Sequence, residues 1–284
     1  MCPSIKTIPK ELVNLKDLRC YNCPNITHIP KELVNLTFIK IEQCPKFKEI
    51  PKELVNLIDL HITNCPEFKE IPKEFINLKY LSCYHCEQFN FIHEELINLT
   101  ELHITNCPNY SKYDIVKEFV SLKILLYSDC PNLKEIPNDL VNLEHFVLYN
   151  CPQLEKLPTG MIKLDRLLIH DCPITYIPKE YKLTLLECWR CPNLVDIPNC
   201  SLKTLSCRDC PILTFAPTQL INTPSQIHQI EIVDNNYQRY RKEGCKKLVD
   251  TIFEELIQRT WEPKRAIEWC WDDEEKKFMS NYIT

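Results

Sequence analysis

The strongest constraint on what this chain can fold into is a repeat. Cys-Pro pairs fall at Cys2, Cys23, Cys44, Cys65, Cys107, Cys130, Cys151, Cys172, Cys191 and Cys210, and Cys86-Glu87 fills the one gap. Successive cysteines are 21 residues apart five times, then 23, 21, 21, 19 and 19. The hexapeptide His-Ile-Thr-Asn-Cys-Pro occurs at 61–66 and again at 103–108, two periods later. A unit of this size cannot enclose a core by itself. It buries its apolar face against the units before and after it, so the chain must stack along one axis. That period overrides the one or two globular domains suggested by a length of 284 residues.

Aligned on the cysteine, one unit has apolar or cysteine residues at Leu15, Leu18, Cys20, Cys23, Ile26, Ile29, Leu33 and again Leu36, with prolines at Pro24 and Pro30. Alternation of apolar and polar residues through Leu18 and Cys20 predicts one short strand per unit with one face buried. Proline has a fixed φ and no N–H, which suits the turns that leave the strand and cross the far side. Glycine stands only at Gly160 and Gly244, so proline and asparagine do most of the turning. Eleven strands are expected, centred near residues 19, 40, 61, 82, 103, 126, 147, 168, 187, 206 and 231. At a strand spacing of about 4.8 Å, the sheet would run roughly 50 Å.

The unit resembles the leucine-rich repeat, L-x-x-L-x-L-x-x-N/C-x-L, over residues 1–235. The resemblance implies a leucine-rich repeat solenoid: a curved parallel sheet of about eleven short strands, with turns or short helical pieces on the convex side. The recurrent Ile-Pro-Lys-Glu-Leu is most similar to repeats of plant resistance receptors and of giant DNA viruses. In this alignment the cysteine takes the N/C position, where a small inward side chain bonds the backbone of the turn. A thiol is a weak donor but a good small hydrophobe. The last unit, Ile227, Ile230, Ile232 and Asn235, carries the family's more usual asparagine.

Stacked units need covers at both ends. The chain opens with Met1-Cys2-Pro3, the tail of a unit, which predicts either a bare amino edge or a longer natural chain. Toward the other end, Cys245, Leu248, Val249, Ile252, Phe253, Leu256 and Ile257 form one stripe at helical spacing. Residues 236–284 are therefore expected to be a C-terminal helical cap and acidic tail. Trp269 and Trp271, after the break at Pro263, are expected to pack over the last repeats.

Net charge is -5 with both signs scattered, which gives no basic face for nucleic acid. No apolar run reaches the length of a membrane span and no signal peptide is evident, so a cytoplasmic protein is expected, in a host cytoplasm if the source is viral. Of eighteen cysteines, eleven recur at one register of the repeat, and they read as reduced thiols and not as a disulfide framework. The Asn-x-Ser/Thr triplets at Asn25, Asn35, Asn98, Asn109 and Asn199 then follow from the repeat and are no glycan sites.

Cys188, Cys191, Cys207 and Cys210 spell C-x2-C-x15-C-x2-C, a spacing able to bind zinc. The first cysteine of each pair replaces a core leucine and the second holds the N/C position, so packing explains all four and no metal or other cofactor is expected. His61 and His103 lie beside Asp59 and Glu101 on alternate strands, about 10 Å apart, too far for a direct hydrogen bond. There is no Gly-rich phosphate loop, nucleophile elbow or H-E-x-x-H, and no enzyme is expected.

Function is expected from the strand residues that point away from the core. In the amino half these are charged or tyrosine-bearing. Further on, Ile124, Leu126, Val147, Tyr149, Leu168, Leu185 and Trp189 form an apolar block, with Arg166 and Arg208 at its edge. Such a patch marks a contact site, and its composition is that of an interface hot spot. The reading is a non-catalytic module that binds a protein or peptide ligand on the concave face. Two alternatives are a scaffold or virion component assembling edge to edge, and an adaptor for a ubiquitin ligase. In the adaptor reading only the carboxyl helices are left to recruit a ligase, since no F-box-like segment precedes the repeats.

Overall fold

A computed structural model of the protein describes residues 7–110, 119–198, 202–213 and the strand at 229–233. Every expected strand forms, each five residues long: β1 Asp17–Tyr21, β2 Phe38–Glu42, β3 Asp59–Thr63, β4 Tyr80–Tyr84, β5 Glu101–Thr105, β6 Ile124–Ser128, β7 His145–Tyr149, β8 Arg166–His170, β9 Leu185–Trp189, β10 Thr204–Arg208 and β11 Gln229–Val233. They lie in sequence order in one sheet and every pairing is parallel. Leu60, Leu81 and Leu102 share one register column. The unit of 23 residues between Cys107 and Cys130 leaves that register intact, since Leu102 pairs with Leu125.

The far side consists of turns among the described residues, with no helical piece; short parallel bridges such as His28 to Glu49 and Glu70 to Phe91 link successive units there. No helix of the described residues is long and apolar enough to cross a membrane. The expected helical cap with Trp269 and Trp271, and Asn235, lie outside the described residues.

One turn shows how the fold is held. Leu36, Ile39, Ile41, Cys44, Phe47, Ile50 and Leu54 all point inward and are buried. Burying each large apolar side chain contributes roughly 1.5–3 kcal/mol. That burial comes from the neighbours: Leu12, in the first described turn, is 46% exposed, while its counterparts Leu33 and Leu54 are 0% exposed. Behind the sheet the rings of Phe47, Phe68, Phe89, Tyr110 and Tyr127 stack in a buried file, with successive centroids 5.7–6.0 Å apart. Offset ring stacking adds to area burial and favours one turn-to-turn register.

Between strand and cysteine the backbone turns sharply. Asn22, Gln43, Asn64, His85, Asn106, Asp129, Asn150, Asp171, Arg190 and Asp209 all have φ between 48° and 55°. Asparagine and aspartate tolerate this left-handed region best, and they hold seven of the ten places. The bend aims each N–H at the next turn, as in Asn22 N–H to Glu42 C=O at 2.9 Å and Asn64 N–H to Tyr84 C=O at 2.9 Å. The following cysteine then closes the corner. The Cys44 thiol donates to Glu42 C=O at 3.4 Å and lies 4.0 Å from Cys20 C=O in the previous turn. The same pair of contacts recurs at Cys65, Cys86, Cys107, Cys130, Cys151, Cys191 and Cys210. The inward, turn-bonding role expected of the cysteine is what the structure shows, and the fourteen described cysteines are all buried and in no disulfide.

Gly160 meets a different need. A Cβ added there would lie 1.7 Å from the Asn138 carbonyl oxygen in the preceding turn, a backbone atom that cannot step aside. Gly160→Ala is expected to lower stability by about 1–3 kcal/mol, the usual cost of forcing packed backbone apart. The shift of its denaturant midpoint relative to the parent checks this.

Candidate functional site

A parallel strand sends alternate side chains to opposite faces. Leu125, Tyr127, Phe146, Leu148, Leu167, Ile169, Leu186 and Cys188 are accordingly buried, and the residues between them reach the outer face of the sheet. Three columns cross strands β6 to β10 there. The first runs Ile124, His145, Arg166, Leu185, Thr204. Leu126, Val147, Leu168, Glu187 and Ser206 form the central one. The third is Ser128, Tyr149, His170, Trp189, Arg208.

The expected block is therefore brought together in part. Leu126, Val147 and Leu168 are contiguous on three adjacent strands. Ile124 borders Leu126 on β6, but His145 and Arg166 separate it from Leu185. Tyr149 and Trp189 are likewise two strands apart, and His170 fills the gap.

His170 is a member of the site that sequence reading passed over, although it lay in the same column. Its ring stacks on Trp189 with centroids 4.5 Å apart and planes 8° from parallel, and it meets Tyr149 edge-on at 5.9 Å. Arg208 also lies over the Trp189 ring, 5.4 Å from its centroid. The Trp189 indole N–H donates to Ser206 Oγ at 3.0 Å, which fixes the ring. Tyrosine, imidazole, indole and guanidinium thus form one ladder beside the aliphatic column. His170 Nε2 is buried within it, 3.8 Å from Glu187 Oε2.

A second ring series occupies the amino half. Arg19 lies 4.7 Å over Phe38, followed by Phe38 to His61 at 5.2 Å, His61 to Tyr80 at 4.6 Å and Tyr80 to His103 at 5.2 Å. His61 and His103 do not bond one another, as expected. Ser82 Oγ is 3.0 Å from His61 Nδ1, and the Tyr80 and Tyr84 hydroxyls are 3.1 and 3.2 Å from His103 Nδ1. Ser82 is fully buried, so its hydroxyl beside His61 offers no surface at which a substrate would meet it.

The four cysteines of zinc-like spacing stay within the core. Cys188 pairs with Cys207 across the strands, while the Cys191 and Cys210 thiols donate to backbone carbonyls. A hydrogen bond with Cys207, then burial, raises the Cys188 pKa, and one with Cys210, then burial, raises that of Cys191. Burial foremost pushes Cys20 and Cys65 up to about 12. Neutral thiols are poor nucleophiles and poor metal ligands. Among the described residues no group of three or more His, Cys, Asp or Glu could hold a metal ion.

No family model and no curated protein matches the chain. Solved structures do. The functional domain of InlJ from Listeria monocytogenes, which includes a cysteine ladder, superimposes with a TM-score of 0.62 at 18% identity over 80% of this chain. The leucine-rich repeat domain of the type III effector XopL superimposes with a TM-score of 0.52 at 18% identity, over 81% of this chain and 80% of its own length. This chain spans only 51% of the InlJ structure. The fold is therefore a leucine-rich repeat solenoid of parallel strands, as the repeat predicted.

Burial is the leading cause that lowers the pKa of His61, His103 and His170 below the ordinary 6.5. The folded chain then binds protons less readily than the unfolded chain. The stability contributed by the neutral rings is complete above about pH 6.5 and is lost as pH falls through the lower folded-state values. Melting temperature is expected to fall between pH 7 and pH 5, and substituting all three histidines by glutamine is expected to flatten that slope; parallel melts of the two proteins check it.

Proposed function

We propose that the chain is a non-catalytic binding module that takes a protein or peptide ligand on the concave, outer face of its sheet, at strands β6 to β10. The observation that carries this reading is the unbroken Leu126, Val147 and Leu168 column lying beside the Tyr149, His170, Trp189 and Arg208 ladder. Aliphatic surface supplies desolvation, while a ring held by a stack and a hydrogen bond loses little freedom on binding. Tryptophan, tyrosine and arginine are also the residues that most often dominate interface energetics. Ile124, Arg166 and Leu185 flank the column and would form the border of the contact.

Two further readings stand beside it. A scaffold or virion component held by its edges draws on β1, whose outer edge pairs with no strand among the described residues, because an unpaired edge invites another chain. A ubiquitin-ligase adaptor draws only on analogy between leucine-rich repeat proteins. The narrower likeness to giant-virus and plant-receptor repeats rests on the Ile-Pro-Lys-Glu-Leu segments, and a cytoplasmic setting fits the free thiols.

Capture from native lysate by crosslinking, identified by mass spectrometry, supplies the ligand for the test. Trp189→Ala and Leu168→Glu are each expected to weaken its binding by about 2 kcal/mol or more, roughly thirtyfold, whereas Tyr21→Ala at the far end leaves it unchanged. Equal capture by all four proteins rules out this face. Size-exclusion chromatography separates the scaffold reading, which requires end-to-end growth without limit as concentration rises.

A further inference from the structure

The turn that enters each strand carries a feature that the outer-face reading leaves unused. Val13, Val34, Val55, Ile76, Ile97, Val120, Val141 and Ile162 occupy the same place in eight consecutive turns, four residues ahead of the strand. All eight are aliphatic and all are exposed, from 39% at Val141 to 51% at Ile76. Solvent-facing positions in a repeat are free to vary, and the ones beside these do: Ser121 and Lys163 stand where other turns have asparagine. The ridge ends abruptly at the ninth turn, where buried Tyr181 stands four residues ahead of the strand and the exposed residue after it is Lys182.

The ridge is stiff and its backbone is already satisfied. Asn35 Nδ2 donates to Val13 C=O at 2.8 Å, Asn56 to Val34 at 2.9 Å, Asn77 to Val55 at 3.0 Å, Asn98 to Ile76 at 2.8 Å and Asn142 to Val120 at 2.7 Å. Covering these residues therefore strands none of those five carbonyls, which removes the usual penalty for drying a turn. An apolar strip of this regularity marks a contact.

We propose that the ridge is the interface of a symmetric dimer, covered by the same ridge of a second copy of this chain running antiparallel. Three properties select that occupant. The ridge repeats once per turn, about 4.8 Å, and a second solenoid repeats at the same interval, whereas a helix advances about 5.4 Å per turn and a strand about 6.8 Å per same-face residue. Over eight turns only the matched period keeps every residue seated. The length, roughly 34 Å from first turn to eighth, needs a width of only about 24 Å to supply the ~800 Å² per partner of a stable interface. Finally, the two columns beside the ridge, Lys10, Lys31, Lys52 and Lys73 with Glu11, Glu32, Glu53 and Glu74, are evenly mixed in sign and offer no net attraction to a lipid surface. An antiparallel pair sets Lys10, Lys31 and Lys73 against Thr159, Asn138 and Glu94 of the other copy, so that three of the four lysines meet no lysine there. The two-fold axis then falls between Ile76 and Ile97, so that each Ile76 meets the other copy's Ile97.

Sedimentation equilibrium of the full chain over a concentration series is the test, with Ile76→Lys and Ile97→Glu as separate variants. The parent is expected to form a dimer and to stop there. Each variant alone is expected to dissociate at least tenfold more readily, and an equal mixture of the two to regain dimer, because the introduced lysine faces the introduced glutamate only in the antiparallel arrangement. Unchanged circular dichroism and melting temperature show that the variants fold, as fits their exposed sites. Retained capture of the outer-face ligand by both keeps this result separate from that reading. A parent that is monomeric at every concentration, variants that dimerise like the parent, a mixture that stays monomeric, or growth beyond the dimer would each overturn the proposal.

Discussion

Each turn of this protein is the lid of the one before it, and everything else in the structure depends on that contact. The exposed Leu12 and the buried Leu33 and Leu54 are the same residue in the same place, differing only in what lies against them. Stability in such a molecule is a sum over neighbouring pairs and not a property of one centre. Local damage is passed on only through the adjoining turn. The missing side chain at Gly160 illustrates this, because the atom it must avoid belongs to the backbone one turn earlier.

Stacking strongly constrains the backbone, since two corners per turn leave the strand ladder and their polar groups must still be paired. Left-handed residues solve the first corner by aiming an N–H at the next turn. The cysteine completes it with a weak, compact donor that is also a core residue. The asparagine ladder performs the same service at the corner before the strand. A thiol in one place and an amide in the other follow from burial: the first lies in the core, the second at the surface.

Repetition also turns single residues into files. On the outer face the files change character along the molecule, from rings and histidines at β1 to β5 to an aliphatic column and a stacked ladder at β6 to β10. At the entering turn the file is uniform for eight units and then stops. A varied file suits recognition of one particular ligand, and a uniform file suits a partner with the same period. The first file lies on the strand itself and the second in the turn four residues ahead of it.

The cysteine period, the alternation around Leu18 and Cys20 and the scarcity of glycine were enough to place all eleven strands and to divide inward from outward residues, because those properties repeat and each repeat confirms the last. The two extra residues between Cys107 and Cys130 did not disturb that reading, since Leu102 still pairs with Leu125. Less legible were the features that belong to pairs of turns. His170 stood in the right column, yet its stack on Trp189 depends on side-chain torsions that one sequence does not state. Val13 to Ile162 was written as plainly as the cysteine series, but an aliphatic residue in a repeat is buried or exposed according to the bend of the turn beneath it. Sequence alone determined the number of rungs and which way each residue faces along a strand; only the stacked structure decided which surface residues touch, because contact between turns is set by packing in three dimensions and not by distance along the chain.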